Sequence, residues 1–170
     1  DGCIQLRNEH ELTADQIEGI ELQVHTLVLQ LTGKKTPQTG LEGKFSVYHA
    51  AAAAIIDGAG GVQQFSDESV RNPVTVSLRD RVTTVVDPDI HEDQARITIT
   101  LKDGRRLEKF IEHAIGSVEN PMTDSDLEAK FIGLADGVLP SGQVRQLLDL
   151  CWNIETLPSA SLIAEGAIRA

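Results

Sequence analysis

Four side chains that can hold a charge or pass a proton stand within a few residues of one another. They are Lys44, Ser46, Tyr48 and His49, in the stretch "EGKFSVYHAAAAAIIDGAGG" that runs from Glu42 to Gly61. A lysine supplies an ammonium for an anion, and a phenol with a pKa near about 10 is a neutral donor at neutral pH. Five alanines follow, Ala50 to Ala54, and a glycine cluster closes the run at Gly58 to Gly61. Either these groups are an ordinary polar helix start, or they form one wall of a site.

The spacing supports both readings. With the helix already formed at Lys44, Lys44 and Tyr48 stand at i and i+4 and share a face. A lysine there opposes the positive end of the helix dipole, so an anionic ligand or a carboxylate such as Glu42 would be what favours it. The plain alternative is a surface ammonium beside a half-buried tyrosine. Ser46 suits an N-cap first and a site-lining hydroxyl second. His49 points about a quarter-turn away from Tyr48 and reads either as a packing residue or as one that supports a site from behind. The alanines lack bulk and favour helix, which lets this segment sit close against a sheet.

The flanking elements follow from periodicity. Asp1 to Glu11 reads as a helix tail, with a Thr13-capped turn after it. Ile17 to His25 alternates as a half-buried strand, and Leu27 to Leu29 either extends it or turns it over. Gly33 to Gly43, with Pro37, is a loop. Short helical turns are expected after Ser66 and over Val74 to Leu78, separated by Asn72-Pro73. Val82 to Val86 and Ala95 to Leu101 read as strands. Lys102 to Arg105, "KDGR", predicts a type I′ hairpin turn into a returning strand over Leu107 to Ile115. Beyond Pro121 the period becomes helical: Thr123 and Asp126 form an approximate capping box, and an apolar stripe follows at Leu127, Phe131, Leu134 and Ala135. Two more helices are expected, near Gly142 to Trp152 and Ser159 to Ala167. Strands and helices segregate, so the fold class is α+β, an antiparallel sheet with helices packed on it.

Composition excludes several functions. The 170 residues carry a formal net charge of -11, which argues against nucleic acid or an anionic membrane as partner. Small anions are not excluded, because local cations such as Lys44 outweigh distant charges screened by salt. Cys3 and Cys151 show no motif spacing, and the five histidines lack metal-ligand spacing. A disulfide framework and a metal site are therefore not expected, and a cytoplasmic setting is. The glycines of "GAGG" follow a helix, not a strand, which is the wrong context for a dinucleotide loop.

The ordered motifs "IEGIELQVH", "LEGKFSVYHAAAAAIIDG", "FSDESV", "LRDRVTTVVDP", "ITLKDGRRLEK" and "GSVENPMTDSDLEAKF" resemble the C-terminal domain of the MmgE/PrpD family. That family contains 2-methylcitrate dehydratase, cis-aconitate decarboxylase and iminodisuccinate epimerase. The resemblance implies a two-domain enzyme in which residues 1–170 form the α+β lid and a larger all-helical domain precedes them. The opening "DGCIQLRNEH" resembles the segment following a Thr-His motif that runs into an aspartate. On that reading the helical domain is absent from this chain, which alone would be catalytically incomplete. The family implies a homodimer working without metal or organic cofactor on small di- and tricarboxylates. Its lid tyrosine, in the pattern Lys-Phe-Ser-x-x-Tyr or close variants, is matched here to Tyr48 of "KFSVY", a proton donor at the reacting centre. Lys44 and Ser46 match positions implied to bind substrate. The lid motif is less aromatic than that of the dehydratase and closer to the epimerase branch. The competing expectation is a non-catalytic dimerisation or binding module.

Overall fold

The computed structural model describes residues 1–168, which divide into two compact units, Asp1–Pro121 and Met122 onward. The first unit is α+β. Its elements run α1 (Gly2–His10), β1 (Ile17–Val24), α2 (Thr26–Thr32), α3 (Gly40–Gly43), α4 (Val47–Asp57), α5 (Asp67–Arg71), α6 (Pro73–Arg79), β2 (Val82–Val86), β3 (Ala95–Leu101) and β4 (Arg106–Ile111). A 3-10 turn at Gln63–Phe65 precedes α5.

Four strands form one sheet in the order β2-β1-β3-β4. The β1–β3 and β3–β4 pairings are antiparallel as expected, with Leu22 opposite Ile97 and Ile99 opposite Leu107. The β1–β2 pairing is parallel, with Ile20 opposite Val82, so the sheet is mixed. A parallel pair needs a long crossover, and α2 to α6 supply it.

Alternation along each strand decides which face is sealed. Ile20, Leu22 and Val24 of β1 share the buried face with Ile97, Ile99 and Leu101 of β3 and with Val82 of β2. Against that face lie Cys3 and Leu6 of α1 and Ala51, Ala52, Ala54 and Ile55 of α4. The alanines do what small residues allow: they bring α4 close to its neighbours. Gly2 does the same for α1, since a Cβ there would lie 2.4 Å from Cδ1 of Ile97. At the far end of α4, Gly58 takes the left-handed conformation (φ 68°) and donates to the Ala54 carbonyl at 3.0 Å, the usual helix stop.

One open alternative is resolved and three local expectations change. Leu27 to Leu29 turn over into α2 and do not extend β1. The "KDGR" hairpin forms, but Gly104 alone has positive φ (87°), whereas type I′ needs two such residues. The N–H of Gly104 bonds the Leu101 carbonyl, and the N–H of Leu101 bonds Arg105, the pattern of a tight turn closed by a glycine bulge. The returning strand stops at Ile111, because its last partner, Ala95, is where β3 begins. Finally, α4 starts at Val47, and Lys44 belongs to the end of α3.

The second unit is helical: α7 (Asp124–Ala135), α8 (Ser141–Trp152) and α9 (Ser161–Gly166). Thr123 and Asp126 make the full reciprocal capping box ahead of α7. No helix among the described residues is long and apolar enough to cross a membrane.

Candidate functional site

A pinned loop delivers the candidate residues. Where α2 ends, Gly33 forms an isolated antiparallel bridge with Ser46, and the N–H of Lys34 donates to the Phe45 carbonyl at 3.2 Å. Between these points Pro37 is buried, and Thr39 caps α3 by accepting from the N–H of Glu42. The N–H of Gly40 donates to Oδ1 of Asp67 at 2.7 Å, and Nε of Arg71 donates to the Gln38 carbonyl at 2.8 Å. Gly40 has no space for a side chain, since a Cβ would sit 2.1 Å from the Phe65 carbonyl oxygen. The loop is thus clamped onto α5 and the turn before it.

Ser46 ends this loop and starts α4. Its backbone is extended and its Oγ accepts from the N–H of His49 at 3.1 Å, so it is the N-cap. It is also almost fully buried, at 1% exposure. Lys44 is exposed and sits outside α4, so the shared helical face with Tyr48 does not form. Its neighbour in sequence Glu42 is spoken for: Oε1 accepts from Nζ of Lys34 and Oε2 from the N–H of Gln38. The Lys34 contact, first, and these backbone donors hold its carboxyl below the ordinary range.

Tyr48 is buried, with its hydroxyl 2.9 Å from Oγ1 of Thr84 on β2. Strand β2 is an edge of the sheet, so the phenol spans from α4 to the rim of the sheet. The cation that meets it is Lys35, whose Nζ stands 5.5 Å from the ring centroid, within the range for cation–π attraction. Neither Lys35 nor Thr84 follows from helical spacing. Both reach Tyr48 through tertiary pairing, and the only linear signal was a second lysine in a loop otherwise read as a connector.

His49 is sealed. It has no exposed surface, its Nε2 is 2.7 Å from the Gln64 carbonyl, and its ring meets Phe65 edge-on at 5.5 Å. Burial pushes its pKa below the usual value, and the Arg79 guanidinium pushes the same way against the Gln64 contact and Asp57. Among the described residues its Nδ1 has no partner, nor has Nε of buried Arg79. The packing reading of His49 fits this geometry. Counted along the chain, the pattern Lys-Phe-Ser-x-x-Tyr reaches its last position at His49, one residue beyond Tyr48. Tyr48 is the only tyrosine in the chain.

Elsewhere, an apolar cavity of about 360 Å³ lies between α1, α4 and the sheet, lined by Cys3, Leu22, Ala50, Ala51, Ala54 and Ile97. The Cys3 thiol is pushed up to about 11 by its burial, which makes it a packing group and not a nucleophile. No group of three or more metal-capable side chains occurs among the described residues.

The model of the MmgE/PrpD C-terminal domain matches residues 1–154. The cis-aconitate decarboxylase of Mus musculus is 27% identical over 154 residues, covering 88% of this chain and 31% of that protein. The human cis-aconitate decarboxylase is 26% identical over 156 residues, covering 89% and 32%. The one from Aspergillus terreus is 24% identical over 139 residues, covering 78% and 28%. This chain therefore spans about a third of the length of the curated relatives it matches.

Proposed function

The chain belongs to the MmgE/PrpD family through its C-terminal domain, and from that premise we propose that it is the lid of a lyase or isomerase acting on small di- or tricarboxylates. The reading rests on the family match over residues 1–154 and on relatives named for decarboxylating cis-aconitate. The reaction handles a proton next to a carboxylate, by elimination, decarboxylation or epimerisation, without metal or organic cofactor. A larger helical domain of the same protein supplies the opposing wall of the cleft, and the whole works as a cytoplasmic homodimer.

In this reading Tyr48 donates to charge developing on the substrate, the role a neutral phenol fills best. Its bond to Thr84 suits the task if Thr84 donates to the phenol oxygen, which leaves the phenol proton for substrate. Lys44, exposed beside the loop, offsets carboxylate charge. Ser46 contributes chiefly by starting α4, because its oxygen already serves as the cap.

One observation favours a second reading, a non-catalytic dimerisation or binding module. Tyr48 is only 5% exposed and its hydroxyl already has a partner, which is what a packed tyrosine looks like. Turnover separates the two. The full-length protein carrying this domain is assayed against cis-aconitate, 2-methylcitrate, citrate and iminodisuccinate, as wild type and as Tyr48→Phe. Loss of a proton donor lowers turnover by about 10²-fold or more. A variant within a few-fold of wild type, or a wild type silent on all four acids, sinks the catalytic reading.

A further inference from the structure

We propose that Lys35 is a carboxylate-binding residue of this site, holding a substrate carboxylate beside Tyr48. The inference rests on the polycarboxylate reading above and adds to it a residue and a binding geometry.

Three observations carry it. First, Lys35 is placed. The Gly33–Ser46 bridge and the Lys34–Phe45 hydrogen bond hold two opposed segments side by side, with Lys35 two residues past the bridge on one and Lys44 two residues before it on the other. The anchoring of this loop by Asp67 and Arg71 keeps it ordered without a ligand, so little ordering entropy is lost when an anion arrives.

Second, Lys35 is uncommitted. Of the three lysines in the loop, Lys34 is bound to Glu42 at 2.7 Å. Neither Lys35 nor Lys44 has an ion-pair partner among the described residues. The Lys34–Glu42 pair removes the one loop carboxylate that would otherwise compete for them. In a chain of net charge -11, an unpaired ammonium at Lys35 is a local reversal of sign, and local charge decides small-anion binding.

Third, Lys35 is aimed at the reacting group. Its Nζ stands 5.5 Å from the Tyr48 ring centroid. A carboxylate held by that ammonium lies alongside the phenol, as a substrate must for Tyr48 to serve it. The contact with the ring is itself weak, about 0.5–1 kcal/mol at an exposed site, so an incoming carboxylate displaces little.

The test uses the single tyrosine as a built-in probe. The 170-residue chain is prepared with 3-fluorotyrosine, giving one fluorine resonance at Tyr48, and titrated with cis-aconitate at low and high salt. The expected result is a saturable shift, weaker in salt, with affinity lowered about tenfold in Lys35→Ala, the scale of one charge-assisted contact. Lys35→Arg is expected to restore binding, and Lys130→Ala, an exposed lysine on α7, to leave it unchanged. No saturable shift in the wild type, or equal affinity in wild type and Lys35→Ala, overturns the proposal. Turnover by the full-length protein tells this failure from that of the functional reading. Activity that is indifferent to Lys35→Ala keeps the enzyme and removes Lys35, whereas a silent wild type removes the enzyme while the titration still decides the carboxylate site.

Discussion

The two units of the chain bury their apolar residues very differently. In Asp1–Pro121 the sheet and helices seal a contiguous core in which Leu6, Ile17, Ile20, Ile55, Leu78 and Ile99 have essentially no exposure. Among the described residues of the helical unit only Val144 and Leu147 are buried, while Leu127, Ile132, Leu134, Val138 and Trp152 stay between 43% and 60% exposed. A four-stranded sheet covered by helices encloses volume; three short helices do not. The apolar stripe read on α7 is real as a pattern, yet Leu127 and Leu134 on it face solvent. The lesson is that periodicity identifies an amphipathic helix without identifying what it packs on.

The sharpest way to break this contrast is to cut one buried and one exposed side chain. Ile99→Ala, at the centre of β3, is expected to cost about 3 kcal/mol, because it loses transfer energy and leaves a cavity between sheet and α4. Leu134→Ala on α7 is expected to fall within about 0.5 kcal/mol of wild type. Urea unfolding with equal m-values measures both. A costly Leu134→Ala would mean that the helical unit hides more surface than its exposure shows.

A smaller effect tests whether the sealed core carries a titratable weak point. His49 is held neutral mainly by burial, with Arg79 opposing a second positive charge beside it and Asp57 opposing Arg79. Because its folded pKa is depressed, the unfolded chain binds the extra proton more readily. Stability tied to His49 is therefore fully present above the unfolded value of about 6.5 and is lost as pH falls below it. His49→Gln is expected to flatten the slope of stability against pH from about 7.5 down to 5. An unchanged slope would place that proton uptake on other groups.

Much of the first unit was readable in advance because its strands alternate cleanly. The bounds of β2 and β3 coincide with Val82 to Val86 and Ala95 to Leu101, and β1 with the Ile17 alternation. Pairing direction was not readable: β2 has a strand's composition whether it lies parallel or antiparallel to β1. The hairpin was legible in Asp103-Gly104, but its turn type was not, since one positive φ at Gly104 satisfies it. At the site, the capping role of Ser46 and the packing of His49 could be read from local rules. The meeting of Lys35 with Tyr48 and the bond to Thr84 could not. Each depends on the Gly33–Ser46 bridge or on sheet order, which couple residues far apart in sequence.

The smallest effect asks whether the two units unfold as one body. In the helical unit stability must come from local devices, and the clearest is the box at the start of α7. The N–H of Asp126 bonds Oγ1 of Thr123, the N–H of Thr123 bonds Oδ2 of Asp126, and the Thr123 hydroxyl donates to the same oxygen at 2.6 Å. Those bonds, the hydroxyl's first, hold the Asp126 carboxyl below the usual range. Thr123→Ala removes the cap and is expected to cost about 1 kcal/mol. Because a depressed carboxylate stabilises only while ionised, the part of that advantage carried by Asp126 is present above the unfolded value of about 4 and is lost as pH falls through the folded one, while the bond from the Asp126 N–H to Thr123 remains. The chain carries its own pair of reporters. Trp152, the only tryptophan, donates to Glu128 of α7 at 2.9 Å and reads the helical unit, whereas Tyr48 reads the sheet unit. If Thr123→Ala lowers the midpoint seen by Trp152 and leaves that of 3-fluorotyrosine at Tyr48 in place, the units melt separately and the contrast in burial is a contrast in stability. If both midpoints move together, the helical unit draws its stability from the sheet unit, and its exposed leucines are the price of a cooperative chain.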